Sequence, residues 1–339
     1  MSQKKFFIID AMAMIFRNHY AFSYNPLTTS EGFPTSALYG SIAFMLRLIE
    51  KEKPDFLIVT SDSKEPTFRH RLYDQYKGNR KDMPEDLGQQ IPFIFDALSY
   101  MGCKVLKDPG VEADDIIASL VKKFASDTMH CYIVSGDKDF MQIVDKNTSL
   151  FSPKKGGEVQ IYDPAEVFKK FGCKPEQVRD FLALTGDAAD NIPGVPGIGL
   201  KSAAKLLETY GDLETLLSKA EEVSNKRQSN ALIKGKESGL LSKELVTLKE
   251  DIAMAHSIEL APFDIAHALS SKKLEDYCHK FELKTLANRI LINRKRSGVD
   301  DSQLKEEVKE EKNSTKNEKE SLVKTVALFE AFLKKIRGA

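Results

Sequence analysis

This sequence has no long apolar run, no paired cysteines and no histidine ligand set. No stretch reaches the length that spans a bilayer. The start, Met1-Ser2-Gln3-Lys4-Lys5 and a short apolar run broken by Asp10, is not a signal peptide. The four cysteines, Cys103, Cys131, Cys173 and Cys278, lie far apart without a CxxC pair and read as reduced core thiols of a cytosolic protein. The six histidines, His19, His70 and His130 among them, have no partner at ligand spacing, and no Ser-His or Cys-His arrangement suggests covalent catalysis. Tryptophan is absent, which excludes nothing. Fifty basic residues balance fifty acidic ones, so net charge does not announce nucleic acid. A soluble, monomeric, cytoplasmic protein with no membrane partner is expected, and 339 residues allow two domains.

What the sequence does have is acid in particular places. Val111-Glu112-Ala113-Asp114-Asp115 runs into Ile116-Ile117-Ala118-Ser119-Leu120-Val121, an apolar pattern at helical spacing, so three acids share one first turn. Glu112 and Asp115, three apart, share a face. Cys131-Tyr132-Ile133-Val134 reads as a buried strand ending in Ser135-Gly136-Asp137-Lys138-Asp139. Two more strands, from Lys5 and from Phe56, end in Asp10 and Asp62. In α/β sheets the carboxyl ends of strands form the ligand crevice. Capping and the helix dipole account for one or two of these acids, not for all of them together. Packed carboxylates repel unless a cation offsets them, and hard divalent ions favour oxygen ligands, so Mg²⁺ or Mn²⁺ is expected.

Positive charge is also localised. Between Asp62 and Met83 stand Lys64, Arg69, Arg71, Lys77, Arg80 and Lys81, interleaved with Phe68, Tyr73 and Tyr76, a mixture suited to a phosphate backbone and unstacked bases. The spacing predicts helices over 11–21, 36–50 and 85–101, and a strand pair, 149–151 with 159–162, about the turn at Lys154-Lys155-Gly156-Gly157. From Pro175 onward the pattern is helical only, with helices expected over 240–254 and 272–292. Gly194-Val195-Pro196-Gly197-Ile198-Gly199-Leu200-Lys201-Ser202 is not a P-loop, because Leu200 separates Gly199 from Lys201 and no strand precedes it. It fits a helix-hairpin-helix turn, whose glycines and helix-start N–H groups approach a phosphate. Lys226, Arg227, Lys234 and Lys236 form a second basic patch.

Tyr76-Lys77-Gly78-Asn79-Arg80, Gly110-Val111-Glu112-Ala113-Asp114-Asp115, Gly136-Asp137-Lys138-Asp139 and Gly186 to Gly199 resemble, in that order, the signatures of the bacterial 5′–3′ exonuclease and flap endonuclease family, the amino-terminal nuclease domain of DNA polymerase I above all. The resemblance runs from about Lys5 to Ile292. It implies a PIN-like (resolvase-like) α/β nuclease domain over 1–173 with an arch near 64–86. An all-helical helix–three-turn–helix DNA-binding domain would follow over 174–295. It implies two metal ions, Mg²⁺ or Mn²⁺. Asp10, Asp62, Glu112, Asp114 and Asp115 resemble the acids around one, and Asp137, Asp139, Asp187 and Asp190 those around the other. Lys77 and Arg80 match arch-base cations facing the scissile phosphate; three apart on a helix, they would share a face. Tyr76 matches an aromatic that stacks on the unpaired end, and the 194–199 turn one that binds K⁺.

The expected DNA contacts are Arg17, Tyr20, Arg69, Tyr76, Gly194, Gly197, Gly199, Lys201, Ser202, Lys226 and Arg227. The expected activity is two-metal hydrolysis of DNA phosphodiesters at 5′ flaps, nicks or 5′ ends, in primer removal and repair, at the nucleoid. The alternatives are a non-catalytic DNA-junction binder and a PIN-type ribonuclease. One departure is Ser61 before Asp62, where the family carries an aromatic. The other is that the chain stops where a polymerase I continues. Residues 296–322 read as a charged disordered linker and 323–339 as an amphipathic helix. There Thr325-Val326-Ala327-Leu328-Phe329 loosely resembles peptides that dock on sliding clamps.

Overall fold

Parallel strands need both faces covered, and the strands of this chain are apolar on both. The computed structural model describes residues 3–297. The tail helix, the clamp-like peptide and the linker beyond Ser297 lie outside the described residues. The chain divides into two units, Met1–Leu291 and Ile292–Ala339. The first begins β1 (Lys4–Asp10), α1 (Ala11–Ala21), α2 (Ser36–Glu52), β2 (Phe56–Thr60), α3 (Phe68–Leu72), α4 (Glu85–Gly88), α5 (Ile91–Tyr100) and β3 (Lys104–Leu106). It continues with α6 (Ala113–Phe124), β4 (Met129–Val134), β5 (Thr148–Pro153), β6 (Val159–Tyr162) and α7 (Pro164–Phe171). Helices follow: α8 (Pro175–Thr185), α9 (Leu200–Tyr210), α10 (Leu213–Ser218), α11 (Lys226–Lys234), α12 (Lys236–Val246), α13 (Ala253–Ser257), α14 (Ile265–Ser270), α15 (Lys272–Lys280) and α16 (Lys284–Arg296), the last crossing into the second unit.

The sheet order is β3-β2-β1-β4-β5-β6, parallel throughout except for β6, which returns antiparallel to β5. Strand order reverses between β1 and β4, and the crevice of such a sheet opens at that point. Side chains of β1 alternate faces. Phe6 and Ile8 pack with Ile116, Leu120 and Phe181; Phe7 and Ile9 pack with Leu38, Leu46 and Leu98. The first of these cores runs on without a break through α8, α9, α10 and α12, so the helices after residue 173 pack as part of the same compact unit as the sheet.

Three expected helices are divided. The helix over 85–101 breaks at Gln89-Gln90, because Pro92 has no N–H for the carbonyl of Gly88. Gln90 instead turns inward, its Oε1 accepting from the N–H groups of Ala37 and Leu38 at 2.9 and 3.1 Å to cap α2. The helix over 240–254 ends at Val246, where extended backbone is used as described below. The helix over 272–292 breaks at Glu282, whose φ of 59° is left-handed.

Candidate nuclease site

The acids converge on the carboxyl rim of the sheet. Asp10 ends β1 and caps α1, Oδ1 accepting from the Ala13 N–H at 3.0 Å and Oδ2 from the Ser135 hydroxyl at 2.9 Å. Asp62 follows β2 and accepts from the Ala113 N–H at 2.9 Å, fixing the start of α6. Asp137 follows β4 and accepts from the Asp139 N–H at 2.9 Å. Asp187 and Asp190 come from the loop after α8. That loop closes on itself through Asp187 N–H to Ile192 carbonyl (2.9 Å) and the reciprocal bond (2.8 Å). Only glycine fits its neck. Gly186 and Gly194 both have positive φ, and a Cβ on Gly186 would stand 2.5 Å from the Ile192 carbonyl oxygen.

Electrostatics shows which acids share one field. Burial, then Asp62 and Asp137, pushes the Asp10 carboxyl up to about 6. Burial, then Asp10, Asp137 and Asp62, holds Asp114 well above the usual range. Asp137 is raised by burial and by Asp190 and Asp187, and Asp139 by burial and by Asp137, Asp187 and Asp190. The Asp10 shift alone corresponds to about 3 kcal/mol against its charged form. Burial of Ile116, Ile117 and Leu120 holds α6 in place against it, each buried side chain contributing about 2 kcal/mol.

Two predicted ligands are directed elsewhere. Glu112 and Asp115 do share a face, but it faces Arg69. Arg69 donates both guanidinium nitrogens to Asp115, at 2.7 and 2.8 Å. Its Nε and Nη2 reach the carbonyls of Leu245, in the last turn of α12, and Thr247, just past its end, at 2.7 and 2.8 Å. Asp115 also accepts from the Lys249 N–H at 2.9 Å. Arg69 is 2% exposed and Asp115 1%, so the expectations of Arg69 as a DNA contact and Asp115 as a metal ligand are corrected: the pair is a buried brace. Glu112 accepts from Lys77 Nζ (2.8 Å), the Thr67 hydroxyl (2.7 Å) and the Tyr76 hydroxyl (3.1 Å). Burial raises its carboxyl, but Lys77 and Arg69 outweigh this and hold it near 2.

Tyr76 is correspondingly buried, its ring edge-on to His70 at 5.3 Å, and is not placed to stack on DNA. Lys77 and Arg80 do stand together, but on a turn rather than a helix; Lys77 has φ 55°. Tertiary bonds hold that turn. The Lys77 N–H donates to the Asp190 carbonyl (2.9 Å), Asn79 Nδ2 to the Ala188 carbonyl (2.6 Å) and Asn191 Nδ2 to the Gln75 carbonyl (2.8 Å). Arg80 pairs with Asp190 at 2.5 Å. The sequence reading missed Lys138, which pairs with Asp187 at 2.6 Å; its position between Asp137 and Asp139 was the available signal.

The donor set fits hard divalent cations: Asp10, Asp62, Asp114, Asp137, Asp139, Asp187 and Asp190 are all oxygen donors in one field. Asp139 Oδ1 is buried without a hydrogen-bond partner. Among the described residues no three such groups enclose an ion as the side chains stand, so they form an open rim that a cation would draw inward. Away from the rim, Gln228 Nε2 donates to the Ser202 hydroxyl at 3.0 Å, bringing the starts of α9 and α11 together with the 194–199 turn. Lys201, Lys226, Arg227, Gly197 and Gly199 are exposed there, whereas Gly194 is buried. No side chain caps α9, which leaves its first N–H groups open to an anion. Tyr20 is exposed on α1 and Arg17 half-buried.

Residues 5–172 match the family described as 5′-3′ exonuclease, N-terminal resolvase-like domain, and residues 173–268 match 5′-3′ exonuclease, C-terminal SAM fold. A 5′-3′ exonuclease of Aquifex aeolicus is 36% identical over 85% of this chain and 95% of its own length. DNA polymerase I of Bacillus subtilis is 37% identical over 76% of this chain, which spans 29% of that protein. The fold is similar to that of the phage T5 5′-exonuclease with bound zinc (22% identity, 85% of this chain and 100% of that one, TM-score 0.60). It is also similar to the catalytic core of Rad2 in complex with DNA (17% identity, 86% of this chain and 92% of that one, TM-score 0.55).

Proposed function

The chain belongs to the 5′–3′ exonuclease and flap endonuclease family, and we propose that it hydrolyses DNA phosphodiesters at 5′ flaps or 5′ ends with two Mg²⁺ or Mn²⁺ ions. The observation that carries this reading is the rim of seven mutually repelling carboxylates at the sheet's switch point, flanked by Lys77, Arg80 and Lys138. When bound, divalent ions neutralise phosphate charge and supply a water deprotonated near neutral pH.

The chain's own residues do the rest. The seven acids would hold the ions, with Asp10, Asp62 and Asp137 anchored by backbone and hydroxyl donors so that they need not reorganise. Lys77 and Arg80 are locked beside the rim, where they can meet charge developing on the phosphate. The exposed turn at 194–199 with Lys201, and Lys226 and Arg227, would grip duplex backbone.

The test is cleavage of a labelled 5′-flap duplex. It is expected with Mg²⁺ or Mn²⁺ and to cease in EDTA; undiminished cleavage in EDTA would overturn the reading. Stability supplies a second readout. A carboxyl raised in the folded state favours folding below its ordinary value of 3.8, and that contribution is lost as pH rises through about 6. At pH 7.5 the rim is therefore destabilising without cations, and Mg²⁺ should raise the melting temperature.

Lys77→Ala is expected to lower the cleavage rate at saturating DNA by several hundredfold, about 3–4 kcal/mol, because the lost donor acts on the transition state. Lys201→Ala or Lys226→Ala should instead weaken binding and flatten its salt dependence by about one charge. Equal binding losses from both kinds of variant would refute this division.

A further inference from the structure

The carboxyl rim continues past the acids into a cluster of cations. β5 runs parallel to β4, so Lys154, directly after its end, lies on the same edge as Asp137. Lys170, in the last turn of α7, returns to that place. Both ammonium groups lie over one ring: Lys170 Nζ is 4.8 Å and Lys154 Nζ 5.4 Å from the centre of Tyr162. Arg17 joins from α1, Nη2 donating to the Lys154 carbonyl at 2.8 Å, with the guanidinium over the Phe44 ring at 5.7 Å. Burial pushes the Lys170 amine down and Lys154 and Lys138 act the same way, while Tyr162 and then Asp137 act in the opposite direction. Among the described residues no carboxylate pairs with Arg17, Lys154 or Lys170. Elsewhere near the site, Lys77, Arg80 and Lys138 each have one. Like charges gathered without a counter-ion repel, and an anion at that spot removes the repulsion. Lys154 and Lys170 are exposed, so an incoming anion can reach both.

We propose that Lys154 and Lys170, over Tyr162 and beside Arg17, form a phosphate subsite that holds a phosphate of the substrate strand next to the bond that is cut. The proposal rests on the nuclease reading above. The chemistry is that of a phosphate oxygen between two ammonium point charges, with the Arg17 guanidinium alongside. An internal phosphodiester and a 5′-terminal phosphate share it.

The test is fluorescence anisotropy of the full chain with a labelled 5′-flap duplex in Ca²⁺ across a salt series, for wild type and Lys154→Ala/Lys170→Ala. Both side chains are exposed, so the double variant should fold, and an unchanged melting temperature checks this. The expected result is about tenfold weaker binding near 0.1 M salt and a salt slope reduced by about two charges, one for each lysine. Duplexes with 5′-phosphate and with 5′-hydroxyl ends separate the sources. Equal losses assign the subsite to an internal phosphodiester, and a loss confined to the phosphorylated end assigns it to the terminus. Unchanged affinity and slope in both, with wild type binding and cleaving normally, would overturn the subsite alone. Failure of wild type to cleave in Mg²⁺ would instead sink the nuclease reading.

Discussion

Asp137→Asn is expected to lower the cleavage rate at saturating 5′-flap duplex by at least about a thousandfold, with binding of that duplex in Ca²⁺ little changed. Asp137 is the acid whose field reaches both halves of the rim, Asp10 and Asp114 on one side, Asp139, Asp187 and Asp190 on the other. The substitution is conservative for the fold. An amide oxygen can accept from the Asp139 N–H as the carboxylate does, and the Asp137 N–H keeps its bond to the Ser135 hydroxyl. Removing one charge from a repelling group should leave the metal-free melting temperature equal or higher, while the rise caused by Mg²⁺ shrinks. Lost cleavage with retained stability is the signature of a ligand. Cleavage within tenfold of wild type would show that the Asp137 charge is dispensable.

Breaking the Arg69–Asp115 brace should have the opposite profile. Arg69→Ala strands a buried carboxylate and frees the carbonyls of Leu245 and Thr247, a loss of about 3–5 kcal/mol. At roughly 2–4 °C per kcal/mol for a protein of this size, the melting temperature should fall by about 10 °C. Arg69→Met/Asp115→Leu should cost less than Arg69→Ala alone, because no charge is left buried and unpaired. Asp115→Asn, assayed cold enough to be folded, should keep metal-dependent cleavage within about tenfold. A protein with an unchanged melting temperature and no cleavage would make Asp115 a metal ligand after all.

The sequence by itself determined the sheet and the location of the site. Apolar runs ending in Asp10, Asp62 and Asp137 specify parallel strands with acids at one edge, because strand periodicity and the carboxyl-end rule are local and topological facts. The acid turn before Ile116 and the glycine-rich 194–199 stretch were legible for the same reason. What spacing could not decide was which way each charge points. Asp114 and Asp115 are adjacent, yet helical geometry turns successive side chains about 100° apart, one toward the rim and one toward Arg69.

The partners that settle such choices come from far along the chain. Arg69 and Asp115 are 46 residues apart, and Lys77 and Asp190 meet only because the turn at 75–80 is bonded to the loop at 187–192. The left-handed backbone of Lys77 has no signature in its side chain; it is tolerated because the Asp190 carbonyl satisfies its N–H. Likewise, Arg17, Lys154 and Lys170 lie on three separate elements, and no window along the sequence contains them all. Periodicity fixed where charges could gather, and only long-range contact decided which are neutralised inside the protein and which are left for a ligand.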